Sequence, residues 1–294
     1  MKLLVTGGSG FIGKAFIKNY RKKFDIVAPT REQMDLNDVR AIDAMFKANK
    51  FDAVLHLAGL GERGDDTALE ADNLIMFKNI QYMSIIHGVK KLIIVGEGVE
   101  FDRERPIVDF TEDMFGQSVP TDGYGLGRYL INVLASKDKI TTSLRIFEVY
   151  GAGGGAYPIN KIVAAASRGK KQIVIDRDRV VSAISVDDAT RVIAEFLRSD
   201  HPRGDYNLVS GDKMSYVAMA KLVKRLVKKD GGNIDIVVKN AAPDNEYSAS
   251  NSKLLETAPM RITSMTTGIK NLYEELKPQR RKSKADDDAA DIDD

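Results

Sequence analysis

The sequence predicts an α/β fold in which a doubly wound parallel sheet is followed by a smaller C-terminal α/β domain. Short apolar runs, typical of buried strands, alternate with segments of helical periodicity through about the first hundred residues. That alternation builds a parallel sheet with helices on both faces. In addition, the first strand runs through a glycine-rich turn directly into a helix, which is how such a sheet commonly begins.

The turn TGGSGFIG, residues 6–13, has the chemistry of a diphosphate site. Backbone N–H groups point into a turn of this kind, and the positive end of the helix dipole lies behind them. Gly7 permits the tight turn, Gly10 lets a phosphate approach the backbone, and Gly13 lets the helix pack against the strand. The dinucleotide-binding residues expected here are Gly7, Gly10, Phe11, Ile12 and Gly13. The alternative is an ordinary glycine-rich loop, which the flanking strand and helix disfavour.

The remaining elements follow in the order that such a sheet requires. In the first half, strands are expected at 25–31, 51–59, 91–96 and 141–147, and helices at 38–50, 68–88 and 124–137. In the second half, helices are expected at 158–167, 214–229 and 266–276, and strands at 172–175, 206–209 and 234–238. We assign residues 1–198 to a dinucleotide-binding domain, with about 151–171 contributing to its substrate side, and residues 199–276 to a small substrate domain. The charged segment 277–294 cannot bury enough apolar surface to fold, so we expect a solvated tail.

The end of the second strand indicates which nicotinamide cofactor is bound. An acidic residue there hydrogen-bonds the ribose hydroxyls of NAD, whereas an arginine accommodates the 2′-phosphate of NADP. Asp25 lies at the wrong end of the strand for this contact, and Arg31 lies at the right one. The alternative for Arg31 is an ordinary solvated side chain. The sequence therefore favours NADP, with NAD as the alternative.

Composition argues against several other functions. A net charge of +2 over 294 residues indicates neither nucleic-acid binding nor attachment to a membrane surface. The sequence has no cysteine, which excludes disulfides, thiolate metal sites and a cysteine nucleophile. Its three histidines, His56, His87 and His201, lie far apart and make no metal-ligand spacing. No signal peptide precedes the first strand and no apolar run approaches about 18 residues, so a cytoplasmic location is expected.

Four motifs resemble one known family in their order and spacing. They are TGGSGFIG at 6–13, HLAG at 56–59, YGLGR at 124–128 and FEVYG at 147–151. Together they resemble an extended short-chain dehydrogenase/reductase of the NAD-dependent epimerase/dehydratase group, and TREQMDLND at 30–38 is most similar to its NADP-using GDP-fucose synthase branch. The resemblance implies a Rossmann-type fold, a nucleotide-sugar substrate and a homodimer paired through the helices at 68–88 and 124–137. It also implies cofactor contacts from Arg31, Asp35, Leu36, Ala58, Gly59, Tyr124 and Arg128.

The resemblance further implies a catalytic tyrosine, and Tyr124 occupies its position. In this family a lysine four residues later lowers the pKa of the tyrosine and holds the nicotinamide ribose, and Arg128 stands in its place. Arginine keeps the positive charge but cannot lose a proton. Glu97 occupies the position of the substrate-binding Ser or Thr, where an ionised carboxylate can only accept a hydrogen bond. One charge-balanced explanation of these two catalytic departures is an ion pair between Glu97 and Arg128.

Two substrate positions also depart from the family pattern. Glu148 stands where relatives often carry Asn or Gly near the substrate diphosphate, and Arg179 lies two residues before the usual phosphate-binding arginine. Gly98 and Val99 replace the Asp-Glu pair of the dehydratases, which disfavours a 4,6-dehydratase. The sequence thus predicts an NADP-linked oxidoreductase or epimerase acting on a keto or hydroxyl carbon of a nucleotide-linked sugar. The alternative is a member that keeps the cofactor site without the chemistry, as a regulatory or interaction module.

Overall fold

A six-stranded parallel sheet forms the centre of the structure, a computed structural model that describes residues 1–60, 67–155 and 157–277. In spatial order its strands are β2 (Asp25–Val27), β1 (Lys2–Thr6), β3 (Ala53–His56), β4 (Lys91–Glu97), β6 (Thr141–Ile146) and β10 (Gly204–Leu208). The chain adds β2 on one side of β1 and then crosses to β3 on the other side. In open α/β sheets, ligands bind at the carboxyl ends of the strands beside such a reversal.

The first strand shows why the sheet is covered on both faces. Leu3, Leu4 and Val5 are completely buried, and alternate residues of a strand point to opposite faces. Leu3 and Val5 pack in one core with Phe16, whereas Leu4 packs in another with Phe77. The first core lies under α1 (Phe11–Tyr20) and α6 (Val186–Arg198), and the second under α2 (Val39–Ala48), α3 (Thr67–Ile86) and α4 (Gly123–Ala135).

A third core belongs to the C-terminal part of the chain. It lies among α5 (Pro158–Ser167), α7 (Tyr216–Lys229), α9 (Met265–Leu276) and the parallel pair β8 (Gln172–Arg177) and β12 (Asp235–Asn240). A second sheet joins this part to the first and contains β5 (Ile107–Phe110), β7 (Glu148–Tyr150), β9 (Val180–Ser185), β11 (Lys213–Ser215) and β13 (Tyr247–Ala249). The short helix α8 (Ser252–Thr257) follows β13.

One strand lies in a different place from the one the sequence predicts. The strand expected at 206–209, in the small domain, is β10, which pairs in parallel with β6 and completes the central sheet. Without β10, β6 would be an open edge with unpaired backbone groups. Tyr206 and Leu208 are almost completely buried there, so the position is also favoured by burial of apolar surface.

The end of the described chain tests only the start of the expected tail. Lys277 follows α9, and its ammonium lies 3.4 Å from Asp230 and 2.6 Å from Glu274. The rest of that tail, 278–294, lies outside the described residues. Among the helices that the structure describes, none combines the length and the apolar character needed to cross a bilayer.

Candidate active site

Two adjoining cavities lie over the carboxyl ends of β1 and β3. The first has a volume of about 430 Å³, and its walls include Glu97, Tyr124 and Arg128. The second has a volume of about 350 Å³ and is lined in part by Arg31, Asp35 and Leu36. Both are lined by Gly7, Gly10, Leu57, Ala58 and Gly59. The residues expected to hold a dinucleotide therefore line one continuous groove, which passes over the glycine turn.

The glycine turn fits a diphosphate. Gly7 has a φ of 69°, and a Cβ there would lie 2.6 Å from the backbone nitrogen of Ala58. A Cβ on Gly13 would lie 2.3 Å from the carbonyl oxygen of Gly7, so the turn closes only on a bare backbone. Because α1 begins at Phe11, the first N–H groups of the helix have no intrahelical acceptor. Phe11 and Ile12 both line the first cavity, where these donors suit an anion.

The predicted 2′-phosphate contact lies at the far end of the groove. The Arg31 side chain is 75% exposed, and its Nε lies 3.8 Å from Asp35 Oδ2. An exposed ion pair at this distance stabilises little, so a phosphate could replace Asp35 as the partner of Arg31. Leu36 is buried beneath the same cavity. The pairing of Arg31 with an acid was not anticipated from the sequence, which gave Asp35 only as a separate cofactor contact.

The three catalytic candidates contact one another at the opposite end. The Tyr124 hydroxyl lies 2.7 Å from Glu97 Oε1 and 2.8 Å from Glu97 Oε2, and its single proton is donated to this carboxylate. Arg128 Nη2 lies 3.3 Å from Glu97 Oε1. The Arg128 guanidinium carbon also lies 5.2 Å from the centre of the Tyr124 ring. The ion pair that the sequence allowed between Glu97 and Arg128 is therefore present.

Two glycines let α4 bring its side chains to the end of β4. Tyr124 and Arg128 are four residues apart and share one face of α4. A Cβ on Gly125 would lie 2.8 Å from the Val99 carbonyl oxygen, and one on Gly127 would lie 2.6 Å from Glu70 Oε2. The Asp122 side chain caps the helix by accepting the Gly125 N–H at 2.9 Å. The close approach of α4 thus follows from the small residues in YGLGR.

The electrostatics of the site keep Tyr124 protonated. Burial and the negative charge of Glu97 raise the pKa of the Tyr124 hydroxyl, and Arg128 offsets only part of the rise. His56 lines the same cavity, and burial together with the charge of Arg128 lowers its pKa to about 4. The His56 ring is therefore neutral near pH 7, with Nδ1 2.8 Å from the Thr6 hydroxyl. Burial also raises the pKa of Glu70, against the opposing effects of Arg128 and Asn73.

A buried ionic network lies next to Glu97 and was missed by the sequence analysis. The Glu97 N–H donates to Glu100 Oε1 at 2.9 Å. Glu100 Oε2 in turn accepts from Arg145 Nε at 2.9 Å, and Arg145 Nη2 donates to Asp205 at 2.8 Å. Two signals could have indicated it: an acid three residues after Glu97, at the spacing of a capping box, and an arginine inside a segment expected to be a strand of the central sheet.

The two predicted substrate residues lie elsewhere. Glu148 accepts a hydrogen bond from the Tyr216 hydroxyl at 2.7 Å, and burial raises the pKa of this carboxyl. Arg179 pairs with Asp244 at 2.5 Å. Neither Glu148 nor Arg179 lines the cavity that contains Tyr124. Their role in substrate binding stays a prediction.

Relatives of known activity match much of this chain. A sequence model of the NAD dependent epimerase/dehydratase family matches residues 3–208. The GDP-6-deoxy-D-talose 4-dehydrogenase of Aggregatibacter actinomycetemcomitans is 27% identical, over 72% of this chain and 75% of the relative. The GDP-L-fucose synthase of Azorhizobium caulinodans is 25% identical, over 78% of this chain and 82% of the relative.

Solved structures confirm the predicted fold class. A GDP-mannoheptose C4 reductase from Campylobacter jejuni with NADP bound has a TM-score of 0.77 at 20% identity, over 94% of this chain and 97% of that one. A Bordetella bronchiseptica enzyme in complex with NAD has a TM-score of 0.79 at 19% identity, over 94% and 96%. The predicted class, an NAD(P)-dependent oxidoreductase or epimerase, is confirmed by the family and these relatives. Because the family match spans most of the chain, the protein belongs to the NAD dependent epimerase/dehydratase family, as its four motifs predict.

Proposed function

We propose that this protein is an NADP-linked oxidoreductase or epimerase that acts on a keto or hydroxyl carbon of a nucleotide-linked sugar. The observation that carries the proposal is the position of the Tyr124 hydroxyl. It lies in the wall of a cavity that continues over the glycine turn to Arg31. The relatives that match most of the chain include enzymes of GDP-linked sugars, which supports the same substrate class.

Each part of the groove has a role in this proposal. The turn around Gly7 and Gly13 holds the diphosphate, and Arg31 binds the 2′-phosphate. The cofactor supplies a hydride donor or acceptor at its nicotinamide ring. Tyr124 and Glu97 contact the reacting oxygen of the sugar, while Arg128 holds the nicotinamide ribose and pairs with Glu97. In the described part of the chain, Arg128 Nε is buried without a hydrogen-bond partner, which supports a further polar contact there.

A panel of nucleotide sugars tests the proposal. Purified protein is mixed with NADPH and 4-keto sugars, or with NADP⁺ and 4-hydroxy sugars, each linked to GDP, UDP, ADP or dTDP. We expect a change in nicotinamide absorbance with at least one member, and NMR of the product identifies epimerisation. The control is Tyr124→Phe combined with Glu97→Gln, which removes both groups that contact the reacting oxygen. If that control turned the substrate over as fast as the wild type, the assignment of Tyr124 and Glu97 to the catalytic site would be wrong.

The second candidate is a regulatory or interaction module that binds the cofactor without chemistry. It is favoured by the contact between Tyr124 and Glu97, because the hydroxyl proton is already engaged by a carboxylate. It is also favoured by the pairing of Arg128 with the same carboxylate. Tight NADPH binding without turnover of any panel member would select this candidate over the enzyme.

A homodimer in the cytoplasm belongs to the same proposal. The adjacent helices α3 and α4 expose a set of large apolar side chains: Ile75, Tyr82, Ile86, Leu126 and Leu130. Burying such a surface against a second copy would stabilise a dimer. Light scattering should give twice the chain mass for the wild type and the monomer mass for the double variant Tyr82→Glu with Leu130→Glu. The control is Val174→Glu, which changes an exposed residue of β8 and should keep the dimer mass. A cytoplasmic location is tested by fractionating cells that express the tagged chain.

A further inference from the structure

We infer that Glu97 and Tyr124 have exchanged the roles that residues at their positions have in the epimerase/dehydratase family. Glu97 is the base that takes the substrate proton, and Tyr124 stays neutral and donates a hydrogen bond to the substrate oxygen. The substrate then enters as an alcohol and is oxidised. The inference rests on the proposed function, and it specifies the direction of the reaction and the chemical class of the substrate group.

The geometry around the Tyr124 hydroxyl carries the first step of the argument. A tyrosine that acts as a base must lose its proton, and a neighbouring cation must stabilise the phenolate. Here the hydroxyl faces both oxygens of Glu97, at 2.7 and 2.8 Å, and the nearby cation Arg128 is paired with that carboxylate. A phenolate at this distance from a carboxylate would be repelled by it. Tyr124 is therefore a donor in this site.

The surroundings of Glu97 carry the second step. Glu97 lines the cavity, and about a third of its side chain is exposed, so a substrate can reach it. Arg128 Nη2 lies 3.3 Å from the carboxylate. Among the residues that the structure describes, the other titratable groups that face Glu97 are tyrosines or acids: Tyr124 on α4, Glu100 on the turn after β4, Glu70 on α3, Tyr157 before α5 and Tyr247 on β13. A partly exposed carboxylate held by one arginine is a suitable acceptor for a proton.

The reaction step balances with one oxidant, the oxidised nicotinamide of the proposed cofactor. The substrate C–OH group donates its O–H to a Glu97 oxygen and accepts a hydrogen bond from the Tyr124 hydroxyl. The O–H proton passes to Glu97, and the C–H bond breaks with its electron pair leaving as hydride to the nicotinamide. The carbon is oxidised from C–OH to C=O, and the nicotinamide is reduced. Glu97 later releases the proton through the open side of the cavity.

This arrangement discriminates against a ketone as the starting substrate. A keto oxygen can only accept hydrogen bonds, and so can the ionised carboxylate of Glu97. The single proton of Tyr124 cannot satisfy both at once. An alcohol brings a second proton and satisfies both. We therefore expect oxidation of the alcohol to be faster than reduction of the matching ketone near pH 7.

Variants at the two positions separate this assignment from the reverse one. With an alcohol that the wild type oxidises, the pH profile of kcat/KM should have an acidic limb, because a general base must be free to accept the substrate proton. Glu97→Gln should lower kcat/KM by about 10²–10⁴-fold and abolish this acidic limb. Glu97→Asp should keep the acidic limb of the profile, with a lower plateau value of kcat/KM. Tyr124→Phe should also keep it, with a plateau about 10²–10³-fold lower, because only a donor is lost. The control is Glu104→Gln, an exposed acid outside the cavity, which should leave the profile unchanged.

A limb that persists in Glu97→Gln and disappears in Tyr124→Phe would assign the base to Tyr124 and overturn the inference. The proposed function would survive that result, because turnover itself would have been measured. If no panel member is turned over, the proposed function fails, and the inference is still tested by the state of Tyr124 in the protein alone.

That test is the ultraviolet difference spectrum between the wild type and Tyr124→Phe, which isolates the absorbance of this one phenol. We expect no phenolate signal from Tyr124 between about pH 7 and 9.5, and an earlier phenolate signal when the comparison is repeated in the Glu97→Gln background. A wild-type Tyr124 that ionises below about pH 9 would overturn the assignment of a neutral donor.

Discussion

Arg145 and Glu100 form a buried ion pair, with 2.9 Å between the arginine Nε and the carboxylate Oε2. The arginine side chain is completely buried, and its guanidinium carbon lies 4.8 Å from the ring centre of Phe101. The same carboxylate accepts the backbone N–H of Glu97. A charge buried at the end of β4 thus holds the backbone of Glu97, which lines the cavity that contains Tyr124.

Removing the arginine from this pair should be strongly destabilising. Arg145→Met leaves Glu100 without its buried partner, and such changes cost about 3–5 kcal/mol. The free energy of unfolding, measured with urea, should fall by this amount. The matched control is Arg198→Met, because Arg198 is about half exposed and pairs with Glu195 at the surface at 3.3 Å. That variant should lose less than about 1 kcal/mol, and equal losses in the two variants would contradict the role of burial.

The cofactor preference should depend on Arg31. A charge-assisted contact to the 2′-phosphate favours NADPH over NADH, and Asp35, 3.8 Å away, competes only weakly. In fluorescence titrations the wild type should bind NADPH more tightly than NADH, and Arg31→Ala should remove most of the difference. Arg40→Ala changes a nearby exposed arginine outside the groove and should keep the preference. Equal affinities of the wild type for NADPH and NADH would contradict the assignment of NADP.

The stability of the protein should fall in mild acid because of His56. Burial and Arg128 lower the pKa of this ring from 6.5 to about 4. Between these two pH values the unfolded chain binds a proton at His56 and the folded state does not. The contribution of neutral His56 to the free energy of unfolding is therefore complete above about pH 6.5 and is lost as the pH falls to about 4. The loss corresponds to about 3 kcal/mol. Urea unfolding of the wild type and of His56→Gln should show a stability difference that shrinks by this amount between pH 7 and pH 4, and a constant difference would contradict the prediction.

The parts of the site that were predictable from the sequence depend on residues close together in the chain. The glycine turn spans eight residues, so its spacing alone indicates its chemistry. Tyr124 and Arg128 share a helix face four residues apart, and their roles were implied by the resemblance to the family. The contact of Glu97 with Arg128 followed from charge balance between two unusual positions. The partners of Arg145 could not be predicted in this way, because Glu100 lies 45 residues away and Asp205 lies 60 residues away.

The same reason explains why four short strands of the second sheet were not predicted from the sequence. The short strands β5, β7, β11 and β13 have three or four residues each, too few to show a period of two, and they pair with distant segments. The strand at β10 was recognised by its apolar residues, but its neighbour in the sheet is decided by which edge needs covering. Local pattern predicts that a strand exists; only the assembled sheet decides where it lies.

The glycine turn provides the most direct test of the cofactor site, because adding a single methyl group to it should disrupt the binding of the diphosphate. A Cβ at Gly13 would lie 2.3 Å from the Gly7 carbonyl oxygen and 2.8 Å from the Cα of Gly8, and both of these atoms belong to the backbone. The turn and the start of α1 must therefore move apart in Gly13→Ala, and the N–H groups at Phe11 and Ile12 move with them. We expect the affinity for NADPH to fall at least about tenfold, which corresponds to about 1.4 kcal/mol. Gly155→Ala is the control, because a Cβ there meets no atom of the described residues within 4 Å, its chain neighbours aside, and it should bind NADPH as the wild type does. Circular dichroism establishes that both variants are folded. A folded Gly13→Ala protein with wild-type affinity would show that the dinucleotide does not bind over this turn.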